Sequence, residues 1–122
     1  MARVEFRDIL CVVALIMAGS SALSDTGGVT ADVDTVLVDD ALFGGCMIKL
    51  SQDINDRLPA CGEDWVTLDC LAAFPESTKS GAQTKLSLAQ LAFVTNKQIY
   101  VAVTDSRKAN GYCLATRLEI NQ

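Results

Sequence analysis

The chain contains no histidine, which removes Ser-His-Asp and Cys-His catalysis together with the commonest zinc ligand. Lys and Arg are also scarce. Ten of them stand against fifteen Asp and Glu, for a net charge of -5. A general phosphate-binding surface needs clustered cations, so nucleic acid is excluded as an expected partner. Glycine-rich nucleotide loops are missing too, because Gly27-Gly28 and Gly44-Gly45 lack the spacing and the following helix that cradle a phosphate. No two cysteines have the short spacing of a structural zinc site. The sequence therefore predicts neither metal nor cofactor.

Long apolar runs are lacking as well. The one candidate, residues 9–19, falls well short of the roughly 20 residues that span a bilayer. It follows Arg3 and Arg7 and precedes Ser20-Ser21-Ala22-Leu23-Ser24, which is the order of an export signal. Residues 1–24 are read as a signal peptide cleaved after Ala22 or Ser24. Asp8-Ile9-Leu10 ahead of Cys11 is a poor lipobox, so Cys11 is expected to leave with the leader. Residues 25–32, small and polar, are read as a flexible mature N-terminus, and residues 33–122 as a single domain. The expected location is secreted or periplasmic.

Four cysteines then remain: Cys46, Cys61, Cys70 and Cys113. An even set in an oxidising compartment predicts two disulfides.

Strand signals come at Val33–Val38, rich in β-branched residues, at Cys46–Leu50, and at residues 65–70, where Val66, Leu68 and Cys70 alternate with Trp65, Thr67 and Asp69. The period changes in Lys79–Thr95, where Ala82, Leu86, Ala89 and Phe93 make one helical stripe widened by Leu88 and Ala92, with Ser77 or Ser80 as cap. Residues 98–104 and Tyr112–Ile120 are two further strands, joined through Asn110-Gly111. Three strands, a helix and two strands is the order of an OB-fold: a small, mainly β, α+β barrel of five strands with its helix between the third and fourth. The alternative is an open antiparallel sheet with the helix packed on one face.

In such a barrel the second and third strands are antiparallel neighbours and the fifth runs parallel to the third. That arrangement pairs Cys46 with Cys70 and Cys61 with Cys113. The rival pairing, Cys46 with Cys61, closes only a local loop.

Candidate acid pairs, Asp39-Asp40 and Glu63-Asp64 with Asp105, sit in loops and are read as solvated turn residues rather than glycosidase carboxylates. The chain is not expected to be an enzyme. Trp65, the single tryptophan, either stands exposed as a stacking surface or seals one end of the barrel. The segment 105–112 gathers hydrogen-bonding groups between two strands, with Arg107 able to hold a carboxylate and Asn110 and Tyr112 lending donors. It also reads as a charged hairpin tip.

The segment Cys46-Met47-Ile48-Lys49, then residues 65–70, a helix and Ile99-Tyr100-Val101-Ala102-Val103 resembles the binding subunits of bacterial AB5 toxins of the subtilase-cytotoxin and typhoid-toxin type. The resemblance implies an exported OB-fold subunit with a disulfide between its second and third strands, assembled as a ring of five and binding sialylated glycans. It gives Cys46 and Cys70 the disulfide role and places Thr30 and Asp32 where sugar-contacting residues precede the first strand. The expected function is a non-catalytic binding module for a glycan or protein ligand, with Thr30, Asp32, Trp65, Arg107, Asn110 and Tyr112 as site residues. The alternative is a small secreted inhibitor or envelope interaction domain that uses the loop 51–64 as an insertion element.

Overall fold

The computed structural model describes residues 26–121; the leader expected over residues 1–24, with Cys11, lies outside them. The described residues form β1 (Thr26–Ala31), β2 (Val33–Val38), β3 (Cys46–Leu50), β4 (Trp65–Thr67), α1 (Lys79–Thr95), β5 (Ile99–Ala109) and β6 (Tyr112–Ile120). Short 3-10 turns at Phe43–Gly45 and Ile54–Asp56 flank β3.

The six strands make one mixed sheet in the order β1-β5-β6-β4-β3-β2, which is not closed into a barrel. The expectation of a five-stranded OB-like barrel is corrected to the alternative, an open sheet with one helix, here six-stranded and mixed. What replaces closure is covalent. The edge strands β1 and β2 are separated in sequence by Asp32 alone, and Ala31 and Val33 on either side of it are both buried. The in-out alternation therefore runs through the junction, and the sheet coils until its two edges belong to one stretch of chain.

A flexible segment was expected where β1 stands. Thr26–Ala31 instead pairs antiparallel with β5, from Thr26 opposite Thr104 to Ala31 opposite Ile99. Two glycines weaken a strand because they bring no side chain to pack, but here neighbours fill the space. The Tyr100 ring lies where a Gly28 side chain would be, and Leu58 Cγ comes within 3.3 Å of the Gly27 Cβ position.

Within the sheet, β3 and β4 are antiparallel, and β4 meets β6 in parallel at Thr67 opposite Leu114. Those neighbours bring the cysteines together as Cys46–Cys70 and Cys61–Cys113.

Helix α1 packs on β2, β6 and β3, burying Ala82, Ala89 and Ala92 with Leu86 and Leu88 partly covered. Phe93, expected on the buried stripe, is 47% exposed: the buried face runs through Ala82, Ala89 and Ala92, and Phe93 falls one position, about 100° of helix rotation, beyond Ala92. The cap also differs from expectation. Thr78, not Ser77 or Ser80, accepts the Gly81 N–H at 3.0 Å. Thr78→Ala is expected to cost about 1 kcal/mol, read as a lowered urea midpoint with unchanged slope. At the other end Asn96 adopts φ 54 and its N–H returns to the Ala92 carbonyl, the left-handed stop that asparagine tolerates.

Lys85 points inward from α1, and its ammonium donates to the Ala115 carbonyl at 2.8 Å. Burial lowers its pKa below the ordinary lysine value, and the nearby Asp69 carboxylate opposes that shift in part. A lowered folded pKa means that the unfolded chain holds the proton more tightly. The cost of the buried charge is complete at neutral pH and is relieved as pH rises from the lowered value to the ordinary one. Comparing urea unfolding of wild type with Lys85→Met across that alkaline window, the difference is expected to move in favour of wild type as pH increases and to be flat below it.

Candidate functional site

The Cys61–Cys113 disulfide determines where the site lies. Gly62 follows one cysteine and Tyr112 precedes the other, so a crosslink spanning 52 residues of sequence brings the two to one place. They meet closely. A Cβ on Gly62 would lie 2.6 Å from Tyr112 Cδ1, so the backbone runs flush along the ring. Together with Glu63, Trp65, Asn110 and Gly111 they line an open cleft of about 420 Å3, within the size range of small-ligand sites.

Each wall is held by its own bonds. On one side the Glu63 carbonyl accepts the Ile54 N–H at 2.7 Å and the Asp64 carbonyl accepts the Leu50 N–H at 2.7 Å. Trp65 then opens β4, opposite Lys49 on β3, and is half-buried. It neither seals the core nor stands free. The loop 51–64, expected as an insertion element, is anchored by Ile54 and Leu58, both buried in the core.

On the other side the β5–β6 hairpin turns at Asn110 and Gly111, both at positive φ (54° and 87°) as a tight two-residue hairpin turn requires. Asn110 Oδ1 accepts the Phe43 N–H at 2.8 Å. The Phe43 carbonyl in turn accepts the Thr67 hydroxyl at 2.7 Å, and the Phe43 ring meets Tyr112 edge-on at 5.9 Å. Phe43 is itself presented by a turn in which Asp39 Oδ1 accepts the N–H groups of Ala41 and Leu42 at 2.8 and 2.7 Å. Those two bonds hold the Asp39 pKa below the usual carboxylate value.

Of the six expected binding residues the cleft gathers three: Trp65, Asn110 and Tyr112. Arg107 is elsewhere, its Nε donating to Glu76 Oε1 at 2.8 Å in an exposed ion pair. Being engaged there, it does not reach the cleft. Thr30 and Asp32 also part company. Thr30 lines a pocket of about 530 Å3 with Gln52, Asp53, Arg57 and Tyr100, whereas Asp32 lines a smaller one of about 240 Å3 beside Asn96 and Lys97. Alternation gives both the same outward face, but Thr30 lies on β1 beside β5 while Asp32 lies at the junction where the chain passes to β2 at the other edge of the sheet, so the two serve different surfaces.

Sequence reasoning missed Gly62, Glu63, Gly111 and Phe43. A signal for the first of these was present, because pairing Cys61 with Cys113 already makes neighbours of residues 62 and 112. Nothing local announces Phe43, whose role depends on contact with residues 67 and more positions away.

Set against known proteins, the chain matches no family model, no curated protein and no solved structure.

Proposed function

We propose that the protein is an exported, non-catalytic binding module that takes a glycan or protein ligand in the cleft between Trp65, Asn110 and Tyr112. The observation that carries this reading is the convergence of the single tryptophan with Tyr112 and Asn110 from opposite walls, over a disulfide that holds those walls together. An indole and a phenol joined to a rigid frame offer large contact area at little entropic cost on binding. Two disulfides among the described residues are compatible with an oxidising compartment. No helix among those residues is long and apolar enough to cross a membrane.

The likeness to toxin binding subunits belongs to the same proposal. Its support in the fold is the coiled sheet whose edge strands are joined through Asp32, with a parallel β4–β6 pair and a helix before the last hairpin, an OB-like arrangement. Native mass spectrometry of the protein from residue 25 onward tests the assembly: a pentamer supports the relationship and a monomer rejects it.

For the cleft itself, a glycan and protein array is expected to give signals that Trp65→Ala abolishes while circular dichroism stays unchanged. Arg107→Ala is expected to leave them intact. Signals that disappear with Arg107→Ala and survive Trp65→Ala would place binding on another surface.

A further inference from the structure

The chemistry of the lining goes further than the presence of a cleft. Among the described residues, none of the six that line it is Lys or Arg, and one, Glu63, is a carboxylate. The nearest cation by strand register is Lys49, opposite Trp65, and its ammonium lies 3.9 Å from Asp64 Oδ2. An anionic ligand would meet Glu63 with no cation in the lining to receive it.

Donors and acceptors sharpen this. Asn110 Oδ1 is committed to the Phe43 N–H, which leaves the amide NH2 as the free end of that side chain. The Trp65 indole offers N–H only, the Tyr112 hydroxyl both donates and accepts, and Glu63 when ionised only accepts. The site thus presents donors on two or three groups and a single strong acceptor. An alkylammonium or guanidinium carries donors and no acceptors, so it would satisfy Glu63 and leave the Asn110 and Trp65 N–H groups unmet. A carboxylate carries acceptors only and would face Glu63. Hydroxyl groups do both, and a pyranose adds an apolar C–H face of the kind that packs on an indole or phenol ring.

Resting on the reading of this cleft as the binding site, we propose that its ligand is a neutral saccharide: Glu63 accepts from sugar hydroxyls, the Asn110 amide donates to sugar oxygens, and Trp65 and Tyr112 cover the ring faces. An acid-bearing sugar is disfavoured by the same Glu63 that holds the neutral one. The specificity therefore differs from the sialylated glycans that the toxin resemblance implies.

The single tryptophan makes the test direct, since all indole emission comes from the cleft wall. The protein is titrated with a neutral panel (lactose, maltose, diacetylchitobiose), with sialyllactose as the acid-bearing congener of lactose, and with Nα-acetyl-lysine amide as a cationic probe, while Trp65 emission is recorded. The expected result is a saturable change with at least one neutral sugar, and binding weaker by about tenfold or more for an acid-bearing ligand of matched core. Glu63→Gln, an exposed substitution, is expected to weaken the neutral sugar and to narrow that gap to about threefold or less. If sialyllactose or the lysine derivative saturates the Trp65 signal at lower concentration than every neutral sugar, the neutral-ligand proposal is overturned while the cleft stands as a binding site. If none of the three classes changes Trp65 emission saturably, both are overturned.

Discussion

Cys61→Ala with Cys113→Ala in one variant is expected to lower the unfolding free energy by about 4 kcal/mol, the amount that chain-entropy reasoning assigns to a crosslink closing 52 residues. Small domains hold only about 5 to 15 kcal/mol in total, so much of the stability goes with one bond. Both sulfurs belong to the buried core, with Cys113 fully enclosed, and the alanine side chains leave space unfilled in addition. The same loss is expected to release Gly62 from the Tyr112 ring, so Trp65 emission shifts to the red before global unfolding begins. The Cys46–Cys70 pair closes 24 residues, and its removal is expected to cost less, about 3 kcal/mol, without disturbing Trp65. Urea titrations followed by Trp65 emission and by circular dichroism separate the two cases. A double alanine variant at 61 and 113 within about 1 kcal/mol of wild type would contradict the account.

The second large effect is expected at Asp69. This residue has no exposed surface and sits at φ 56, a backbone region that asparagine and aspartate tolerate better than most. Its carboxylate ends the strand and starts the next turn: Oδ1 accepts the Ala73 N–H at 2.9 Å, Oδ2 accepts the Phe74 N–H at 3.0 Å, and its own N–H donates to the Thr67 hydroxyl at 3.1 Å. Its charge also stabilises the partly buried Lys85 ammonium. Asp69→Ala deletes two charge-assisted bonds, leaves two N–H groups without their acceptor and removes the opposing charge, for an expected loss of about 3 to 5 kcal/mol. Asp69→Asn keeps one acceptor and the tolerance for positive φ, and is expected to lose about half as much. The comparison needs only denaturant midpoints and slopes. Equal losses for the two variants would mean that the carboxylate charge, which both remove, dominates, and that the acceptor and the tolerance of positive φ kept by asparagine contribute little.

Asp69 also shows where sequence patterning stops being informative. Alternation assigned residues 65–70 to one strand with Asp69 on the face of Trp65 and Thr67, opposite Val66, Leu68 and Cys70, whereas β4 ends at Thr67 and Asp69 is fully buried beyond it. A period of two carries no information about a side chain that leaves the ladder to accept backbone hydrogens several residues on. Where local signals and packing agree, the reading was close: α1 spans the residues of the 3.6-period stripe, and the Asn110-Gly111 turn lies at the hairpin tip. The disulfide pairing followed from strand adjacency, which survives although the sheet is not closed. What failed was set by distant partners. Gly27-Gly28 looked too bare for a strand until Leu58 and Tyr100 filled the missing side chains. Arg107 looked free for a ligand until Glu76, 31 positions earlier, took its guanidinium. Within the cleft the aromatic residues were legible, since large rings near strand ends are conspicuous. Glu63 was seen only as one of a solvated pair, because its importance depends on which neighbours share its opening.

Because Asp32 alone links β1 to β2, the first strand behaves as a removable latch. Its pairing partner, Ile99–Thr104, lies inside a stretch dense in β-branched residues, and lifting the latch would bare a row of amide and carbonyl groups of the kind that recruits foreign strands. Proteolytic clipping just ahead of Val33 would therefore leave a unit prone to exchange strands with its neighbours, and light scattering after limited digestion would register the change.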